Sequence, residues 1–275
     1  MAFSTKDLLT VANCLREAAL AEIMPRFRSL SAHEIRQKSS ALDLVTDADE
    51  AAERFMTTRL KELFPGCAVI GEESTEKDRS LLTKIAEPDL LFILDPVDGT
   101  MNFASGLPLF GVMAAVVKKG EIIGGLIYDP LGEDWALALR GEGAWFESLE
   151  GKRRDMKVAK PAPIREMVGG VSWGYVDEPL RSTLTKNMAK VAAGVALRCA
   201  AHEYRLMASG HTHFTFYNKL MPWDHAPGWL IHQEAGGYSA LLDGTPYKPT
   251  IHKGGLLCAP DKDSWQALVD ALLTQ

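Results

Sequence analysis

The stretch "LDPVDGTMNF", residues 94–103, places two carboxylates directly after an apolar run that ends at Leu94. The apolar run predicts a buried strand, and Pro96 and Gly99 predict a sharp turn after it. Thr100 adds a hydroxyl group and a backbone N–H at the same point. A strand that ends in acids, followed by a turn that lets the backbone approach a ligand, is typical of a binding site at the edge of an α/β sheet.

Two further acidic stretches, "GEES" at 71–74 and "PWDHAPG" at 222–228, follow a predicted strand and open a predicted helix. Carboxylates from all three stretches, brought together in a partly buried site, would repel one another unless cations lay between them. Oxygen ligands alone favour a hard ion such as Mg²⁺. The sequence therefore predicts that four acids converge on a magnesium site: Glu72, Asp95, Asp98 and Asp224.

Composition excludes several other classes of protein. The chain has 275 residues, is 47% hydrophobic and carries a formal net charge of -6, which predicts a globular protein without a nucleic-acid-binding surface. Its four cysteines have no metal-binding or paired spacing, so we expect free thiols in a reducing, cytoplasmic setting. No stretch has the length and apolar character of a leader or membrane span, so we expect no membrane partner.

The two halves of the chain differ in their pattern of elements. The first half is predicted to contain an N-terminal helix that begins with a capping box at Ser4 and a second helix from about Asp49 to Leu63. Two hairpins are predicted within residues 110–147. The second half alternates strands with helices, one of them from about Pro179 to Ala193. The fold class is therefore α/β, with an α+β N-terminal half at 1–150 and an α/β C-terminal half at 151–275. The charged stretch near residues 150–157 is either a domain boundary or a long surface loop.

These motifs, together with "DLVTDAD" at 43–49 and the longer "PWDHAPGWLIHQEAGG" at 222–237, appear in the order and spacing of the inositol monophosphatase family. The chain resembles that family from roughly Lys38 to Gly237. The resemblance implies a layered α-β-α-β-α sandwich of the inositol monophosphatase and fructose-1,6-bisphosphatase type, usually a homodimer. It also implies a lithium-sensitive phosphomonoesterase with two or three Mg²⁺ ions per subunit, for which Mn²⁺ is a possible substitute.

The resemblance also implies a role for each matching residue. One metal would be held by Glu72, Asp95 and the carbonyl of Val97, and a second by Asp95, Asp98 and Asp224. The catalytic residues that it implies are Asp49, Thr100 and Glu72, of which the first two would activate water. The backbone of Gly99 and Thr100 would hold the phosphate, with Lys38 and Glu73 near the site.

The second half departs from the family where the substrate is selected. Tyr217 stands where inositol-selective members carry an acid, and "RCAAHEYRLMASG" at 198–210 replaces a stretch of small residues. We therefore predict that Tyr217, Glu203 and Arg205 contact the substrate, with His202 nearby. The substrate would be a small phosphorylated metabolite, either inositol monophosphate or a related sugar or polyol phosphate. The alternatives are a 3'(2'),5'-bisphosphate nucleotide, fructose 1,6-bisphosphate, histidinol phosphate, or a regulatory binding role without catalysis.

Overall fold

The computed structural model describes residues 3–38 and 44–274 and contains two large β-sheets with helices on their faces. Its α-helices are α1 Thr5–Ala18, α2 Asp47–Leu63, α3 Glu72–Lys77, α4 Thr100–Ala104, α5 Leu180–Asn187, α6 Ala200–Ala208, α7 Pro222–Glu234 and α8 Lys262–Leu272. Its strands are β1 Ile35–Gln37, β2 Leu44–Thr46, β3 Ala68–Gly71, β4 Leu91–Asp98, β5 Gly111–Lys118, β6 Glu121–Asp129, β7 Asp134–Leu139, β8 Gly143–Ser148, β9 Arg153–Asp155, β10 Val168–Val171, β11 Ala193–Gly194, β12 Phe214–Lys219, β13 Tyr238–Leu241 and β14 Lys253–Ala259.

The first large sheet has seven strands in the order β3-β4-β5-β6-β7-β8-β9, and the second has five in the order β11-β10-β12-β14-β13. In the first sheet only β3 and β4 are parallel, and the remaining neighbours are antiparallel. In the second sheet β10 runs parallel to β11 and β12, whereas β14 is antiparallel to its neighbours. A small antiparallel pair, β1 and β2, lies apart from both.

Alternate side chains of β4 enter two different hydrophobic cores, as the pleat of a strand requires. Phe92 and Leu94 pack with α1 and α2 on one face of the seven-stranded sheet. Leu91 and Ile93 join the core on the opposite face, which contains residues of α6 and α7. The seven-stranded sheet is therefore covered by helices on both faces, with α6 and α7 between the two sheets.

Strand β12 repeats this arrangement in the second sheet. Tyr217 enters the middle core with α6 and α7, whereas Phe216 enters an outer core with Leu184 of α5 and Trp265 of α8. The order of layers is thus helix, sheet, helix, sheet, helix, and the predicted α/β layered sandwich is confirmed.

Several predicted elements are present with shifted ends. Thr46 and Asp49 form the capping box of α2, so the helix begins at Asp47 and Asp49 lies within its first turn. The predicted helix from Pro179 to Ala193 ends at Asn187, where a short 3₁₀ turn takes over. Strand β9 extends the first sheet to Asp155, while a division into domains at residue 150 stays a prediction. Within residues 3–38 and 44–274, no helix combines the length and apolar character needed to span a bilayer.

Candidate active site

A cavity of about 540 Å³ opens where the carboxyl end of β4 meets the five-stranded sheet. Pairing between β4 and β5 shifts by one residue between Asp95 and Asp98, a bulge that accommodates Pro96 within the strand. The cavity is lined by most of the predicted site residues: Glu72, Asp95, Val97, Asp98, Gly99, Thr100, Glu203, Tyr217 and Asp224.

Three of the four predicted acids meet at the floor of this cavity. Glu72 begins α3, Asp95 lies in β4 and Asp224 is in the first turn of α7, and one oxygen of each lies within 4.8 Å of the others. Burial raises the pKa of Asp95 well above its ordinary value, and the neighbouring carboxylates of Glu72, Asp98 and Asp224 raise it further. Carboxylates this close repel one another, and the repulsion raises the affinity of each for a proton. A divalent cation bound between them would offset the same repulsion, so the group fits such a cation.

Asp98 lies beside this group and has one oxygen already occupied. Its Oδ2 accepts hydrogen bonds from the backbone N–H of Ala201 at 2.6 Å and from the thiol of Cys199 at 3.0 Å. Burial, with the charge of Asp224, raises the pKa of Asp98 to about 7. The structure therefore brings Asp98 to the cavity, with Oδ1 as its oxygen free of these two donors.

Lys38 forms ion pairs with two acids at the edge of the cluster. Its Nζ lies 2.9 Å from Oε1 of Glu72 and 2.6 Å from Oε1 of Glu73. Burial alone would lower the pKa of Lys38, but the two carboxylates raise it above its ordinary value. Burial and the charge of Glu72 raise the pKa of Glu73 to about 8. Lys38, which is also paired with Glu73, thus holds the Glu72 side chain from one side.

Glu72 is also positioned by a carboxylate that caps α3. The side chain of Glu53 accepts hydrogen bonds from the N–H of Glu73 at 2.7 Å and of Ser74 at 2.8 Å. Gly71 makes room for it, because a Cβ at that position would lie 2.2 Å from Cδ of Glu53. The start of α3, and with it Glu72, is therefore fixed by a buried side chain of α2.

Asp49 and Thr100 form a hydrogen-bonded pair next to the acidic floor. The Thr100 hydroxyl lies 3.1 Å from Oδ1 of Asp49 and 2.9 Å from the carbonyl oxygen of Val97. Oδ2 of Asp49 accepts from the N–H and the hydroxyl of Thr46. Burial raises the pKa of Asp49 to about 6, against the lowering effect of the Thr46 hydrogen bonds. Asp49 is thus a fixed carboxyl group that titrates close to neutral pH.

Gly99 connects β4 to α4 in a conformation that favours glycine. Its φ is 86°, in the left-handed region, and an added Cβ would lie 2.8 Å from the carbonyl oxygen of Leu109 and 3.2 Å from Cys199. The turn therefore brings backbone to the cavity wall at a point where no side chain fits.

The structure places only some of the predicted substrate residues at the cavity. Tyr217 is buried in the wall, where its ring lies 5.4 Å from that of Tyr204 and 4.5 Å from that of His225. Glu203 lies near the Tyr217 hydroxyl, and burial raises the pKa of its carboxyl to about 7. Both residues line the cavity.

Arg205 and His202 are not brought to the cavity. The Arg205 guanidinium lies 2.5 Å from Oδ1 of Asp134 and 3.7 Å from Oδ2 of Asp129, both in the seven-stranded sheet. His202 lies 3.2 Å from the carbonyl oxygen of Phe110. The prediction that Arg205 contacts the substrate finds no support in this geometry, because its charge is neutralised elsewhere.

Sequence reasoning missed a group of cavity residues in the second half. They are two exposed aromatic residues and three cationic residues: Trp173, Tyr175, Arg181, Arg198 and Lys219. The available signal was the stretch "SWGY" directly after the β10 strand, at a position where loops of α/β proteins meet ligands.

Comparisons with known proteins agree with this fold. The family model described as "Inositol monophosphatase family" matches residues 5–274. An inositol-1-monophosphatase of Bacillus subtilis (strain 168) is 30% identical over 254 residues, which cover 87% of this chain and 91% of that protein. A fructose-1,6-bisphosphatase/inositol-1-monophosphatase of Thermotoga maritima is 31% identical over 204 residues, 74% of this chain and 73% of that protein. The solved structure of an IMPase of Thermotoga maritima, 22% identical, gives a TM-score of 0.80 and covers 97% of this chain and 98% of its own.

Proposed function

The chain belongs to the inositol monophosphatase family, and we propose that it hydrolyses a small phosphomonoester with the help of Mg²⁺. The observation that carries this proposal is the group of three carboxylates beside the Asp49–Thr100 pair. An acidic floor of this kind attracts a divalent cation, and the adjoining Asp49–Thr100 pair can accept a proton from water. A purely regulatory binding protein would have no need of either feature.

The metal would be held by Glu72, Asp95 and Asp224, with Asp98 and the carbonyl of Val97 as further oxygen donors. When bound, Mg²⁺ would supply positive charge that offsets the charge of a phosphoryl group and makes water a stronger nucleophile. Glu72 would bind the metal while its Oε1 forms an ion pair with Nζ of Lys38 at 2.9 Å. This ion pair would keep the Glu72 side chain in position.

Thr100 and Asp49 would orient and deprotonate the attacking water. The Thr100 hydroxyl has one hydrogen, which it can donate to Asp49 or to the carbonyl of Val97, and its lone pairs remain able to accept from water. Asp49, with a pKa of about 6, is ionised at neutral pH and still basic enough to receive a proton through that hydroxyl. The Gly99 turn would let backbone N–H groups approach the phosphate.

The substrate class that fits best is a phosphorylated polyol or sugar. One relative is named for inositol-1-monophosphatase activity and the other for both fructose-1,6-bisphosphatase and inositol-1-monophosphatase activity, and the substrates in these names are phosphate esters of a polyol or a sugar. Inhibition by Li⁺ and assembly as a homodimer are further parts of the proposal. Size-exclusion chromatography with light scattering tests the second of these directly.

Release of inorganic phosphate tests the proposal. The purified protein is treated with a chelator, then assayed with and without added Mg²⁺ on inositol phosphates, sugar phosphates, nucleoside bisphosphates and histidinol phosphate. We expect activity on at least one of these only when Mg²⁺ is present, with Mn²⁺ as a partial substitute. Undiminished turnover in excess chelator would contradict a metal-dependent mechanism, and no phosphate release from any substrate would contradict the enzymatic role.

A further inference from the structure

We propose that Tyr204 and His225 position the proposed metal ligand Asp224 through the hydrogen bond that joins them. Tyr204 belongs to α6 and His225 to α7, and α6 also holds Asp98 through its backbone. The bond would fix the separation of the Asp98 and Asp224 carboxylates, and with it the affinity of the floor for a divalent cation. This inference rests on the proposed function, since it takes the floor to be a metal site.

His225 is a buried side chain next to the floor. It follows Asp224 in α7 and lines the cavity. Its Nε2 lies 2.9 Å from the carbonyl oxygen of Lys219, and its Nδ1 lies 3.2 Å from the hydroxyl of Tyr204. Because a carbonyl oxygen only accepts, Nε2 carries the ring hydrogen, and Nδ1 of the neutral ring accepts from the Tyr204 hydroxyl. Both ring nitrogens are therefore used, each in one role.

The hydrogen bond to Lys219 fixes the start of α7. Lys219 is the last residue of β12, and α7 begins after a short connection at Pro222. The bond from His225 spans this connection and joins the helix back to the strand. Asp224 lies between the two bonded residues, so the backbone that carries its carboxylate is held on both sides.

The hydrogen bond to Tyr204 joins α7 to the helix that holds Asp98. Ala201, in the first turn of α6, donates its N–H to Oδ2 of Asp98 at 2.6 Å, and Tyr204 follows about one turn later. Three residues of α-helix rise by about 4.5 Å, so α6 reaches Asp98 with its backbone and His225 with a nearby side chain. A displacement of α6 would therefore disturb the support of both acids.

Close packing alone would not fix the orientation of the His225 ring. Gly228 of α7 lies so near Tyr204 that an added Cβ would be 2.1 Å from Cδ2 of the tyrosine ring, and the His225 ring lies 4.5 Å from that of Tyr217. The last torsion of a histidine side chain is broad and roughly two-fold, so packing permits more than one orientation. The two hydrogen bonds select one of them. The Tyr204 hydroxyl therefore has a role that a phenylalanine at this position could not fill.

Three variants separate the hydrogen bonds from the packing. Tyr204→Phe removes the hydroxyl and keeps the ring. His225→Phe removes both hydrogen bonds, whereas His225→Gln keeps an amide N–H for the carbonyl of Lys219. The matched control is Tyr128→Phe, because Tyr128 is also fully buried and its hydroxyl has no hydrogen-bond partner among the described residues. The Tyr128 side chain lies in the core on the opposite face of the first sheet.

Metal binding is measured directly, without turnover. Chelator-treated protein is titrated with Mn²⁺, and the free ion is followed by electron paramagnetic resonance. We expect Tyr204→Phe to raise the dissociation constant of at least one Mn²⁺ site about fivefold, and His225→Phe to raise it about tenfold or more. His225→Gln should lie between wild type and His225→Phe, and Tyr128→Phe should bind Mn²⁺ as wild type does.

Kinetics and melting distinguish positioning from a general effect on stability. On a substrate that wild type hydrolyses, the Mg²⁺ concentration for half-maximal rate should rise in Tyr204→Phe by the same factor as the Mn²⁺ dissociation constant. Its kcat at saturating Mg²⁺ should stay within about twofold of wild type. A lower melting temperature in chelator, with both metal constants unchanged, would show that Tyr204 only stabilises the fold.

The outcomes separate failure of this inference from failure of the proposed function. A wild-type Mn²⁺ dissociation constant in Tyr204→Phe would overturn the inference, whatever His225→Phe shows, and would leave the phosphatase intact. If wild type binds Mn²⁺ but releases no phosphate from any substrate, only the proposed function is contradicted. If wild type binds no Mn²⁺, both are contradicted.

Discussion

The floor and the mouth of the cavity are built in different ways. At the floor, Asp49 and Asp95 are buried, and their carboxylates accept hydrogen bonds from the backbone N–H groups of Thr46 and Val97. At the mouth, Trp173, Arg181 and Arg198 are exposed side chains carried by a 3₁₀ turn, by the first turn of α5 and by a loop, respectively. The floor is thus fixed by many partners, whereas the mouth depends on a few contacts, so substitutions at the mouth can change binding without disturbing the reaction chemistry.

The difference has an electrostatic side as well. The floor gathers like charges whose burial raises their pKa values, so without a cation it is a source of instability. The mouth gathers cations near solvent, where their mutual repulsion is screened. Changes at the floor should therefore affect activity, metal binding and stability together, and changes at the mouth should affect mainly the choice of substrate.

The largest expected effect is that of Asp95→Asn. Removing this central carboxylate should lower kcat/KM by about a thousandfold or more, because the acidic floor would lose its hold on the metal. In chelator at alkaline pH the same variant should melt at a higher temperature than wild type, since a buried charge has been removed. Phosphate release and differential scanning fluorimetry measure the two effects.

Asp89→Asn is the control for that variant, because Asp89 is an exposed aspartate whose side chain is 85% accessible and pairs with Lys119. It should change neither activity nor metal binding. If Asp95→Asn kept wild-type turnover, the floor would have no role in the chemistry and the contrast with the mouth would disappear.

Thr100→Ala should have the next largest effect. Loss of the hydroxyl that joins Asp49 to the water should lower kcat by about a hundredfold, with a smaller change in KM. Thr100→Ser should restore most of the activity, because it keeps the hydroxyl. Thr58→Ala, at an exposed position on α2, serves as a control. Equal activity of the Ala and Ser variants would show that the hydroxyl takes no part.

The gain in melting temperature on adding Mg²⁺ should increase with pH. Asp98 and Glu203, with pKa values of about 7, have folded pKa values above their unfolded ones. The stability that their protonated forms contribute is complete below the unfolded pKa and is lost as pH rises through about 7. Metal-free protein should therefore become less stable between about pH 6.5 and 8.5, where Mg²⁺ can replace the lost protons at Asp98.

Scanning fluorimetry with chelator and with Mg²⁺ at both ends of this range measures that gain. Buried His225 and His232, whose pKa values are lowered to about 4, do not interfere, because their contribution is lost only as pH falls below their unfolded value of 6.5. We expect the gain to be larger by about 3 °C or more at the upper pH. Asp98→Asn should reduce this pH dependence, and an equal gain at both ends would contradict the assignment.

Tyr217→Phe should have the smallest effect. Tyr217 lies in the cavity wall, between the floor and the mouth. The Tyr217 hydroxyl lies near Glu203 but has no hydrogen-bond partner among the described residues, so its loss removes no bond from that carboxyl. We expect at most a few-fold change in KM across the pH range, because the ring and its contacts with Tyr204 and His225 are kept. A uniform change in kcat at all pH values would instead indicate that the hydroxyl helps to position the floor.

The sequence predicted the floor far better than the mouth. Glu72, Asp95 and Asp224 were recognisable because each follows a strand or opens a helix, and the structure brings them together. The contact from Asp98 to Ala201 was not predictable, since it joins residues 103 positions apart. The roles of all these residues stay predictions.

Arg205 lies away from the cavity for a simple geometric reason. Residues two apart on an α-helix point about 200° away from each other, so Glu203 and Arg205 of α6 cannot both face one cavity. Glu203 faces it, and Arg205 lies against Asp134 on the first sheet. Trp173, Tyr175 and Arg198 were missed because they lie in a short turn and a loop, which carry no hydrophobic period.

Gly71 shows how selection can act on a residue that performs no chemistry. A methyl group there would displace the Glu53 carboxylate, whose two hydrogen bonds begin the helix that carries Glu72. The Glu53 side chain is flexible enough to move away, so the protein would still fold, but the acid at the floor would lose its support. In a survey of all single substitutions, Gly71 should therefore tolerate as little variation as the acids of the floor, and its intolerance would appear in activity before it appears in the yield of folded protein.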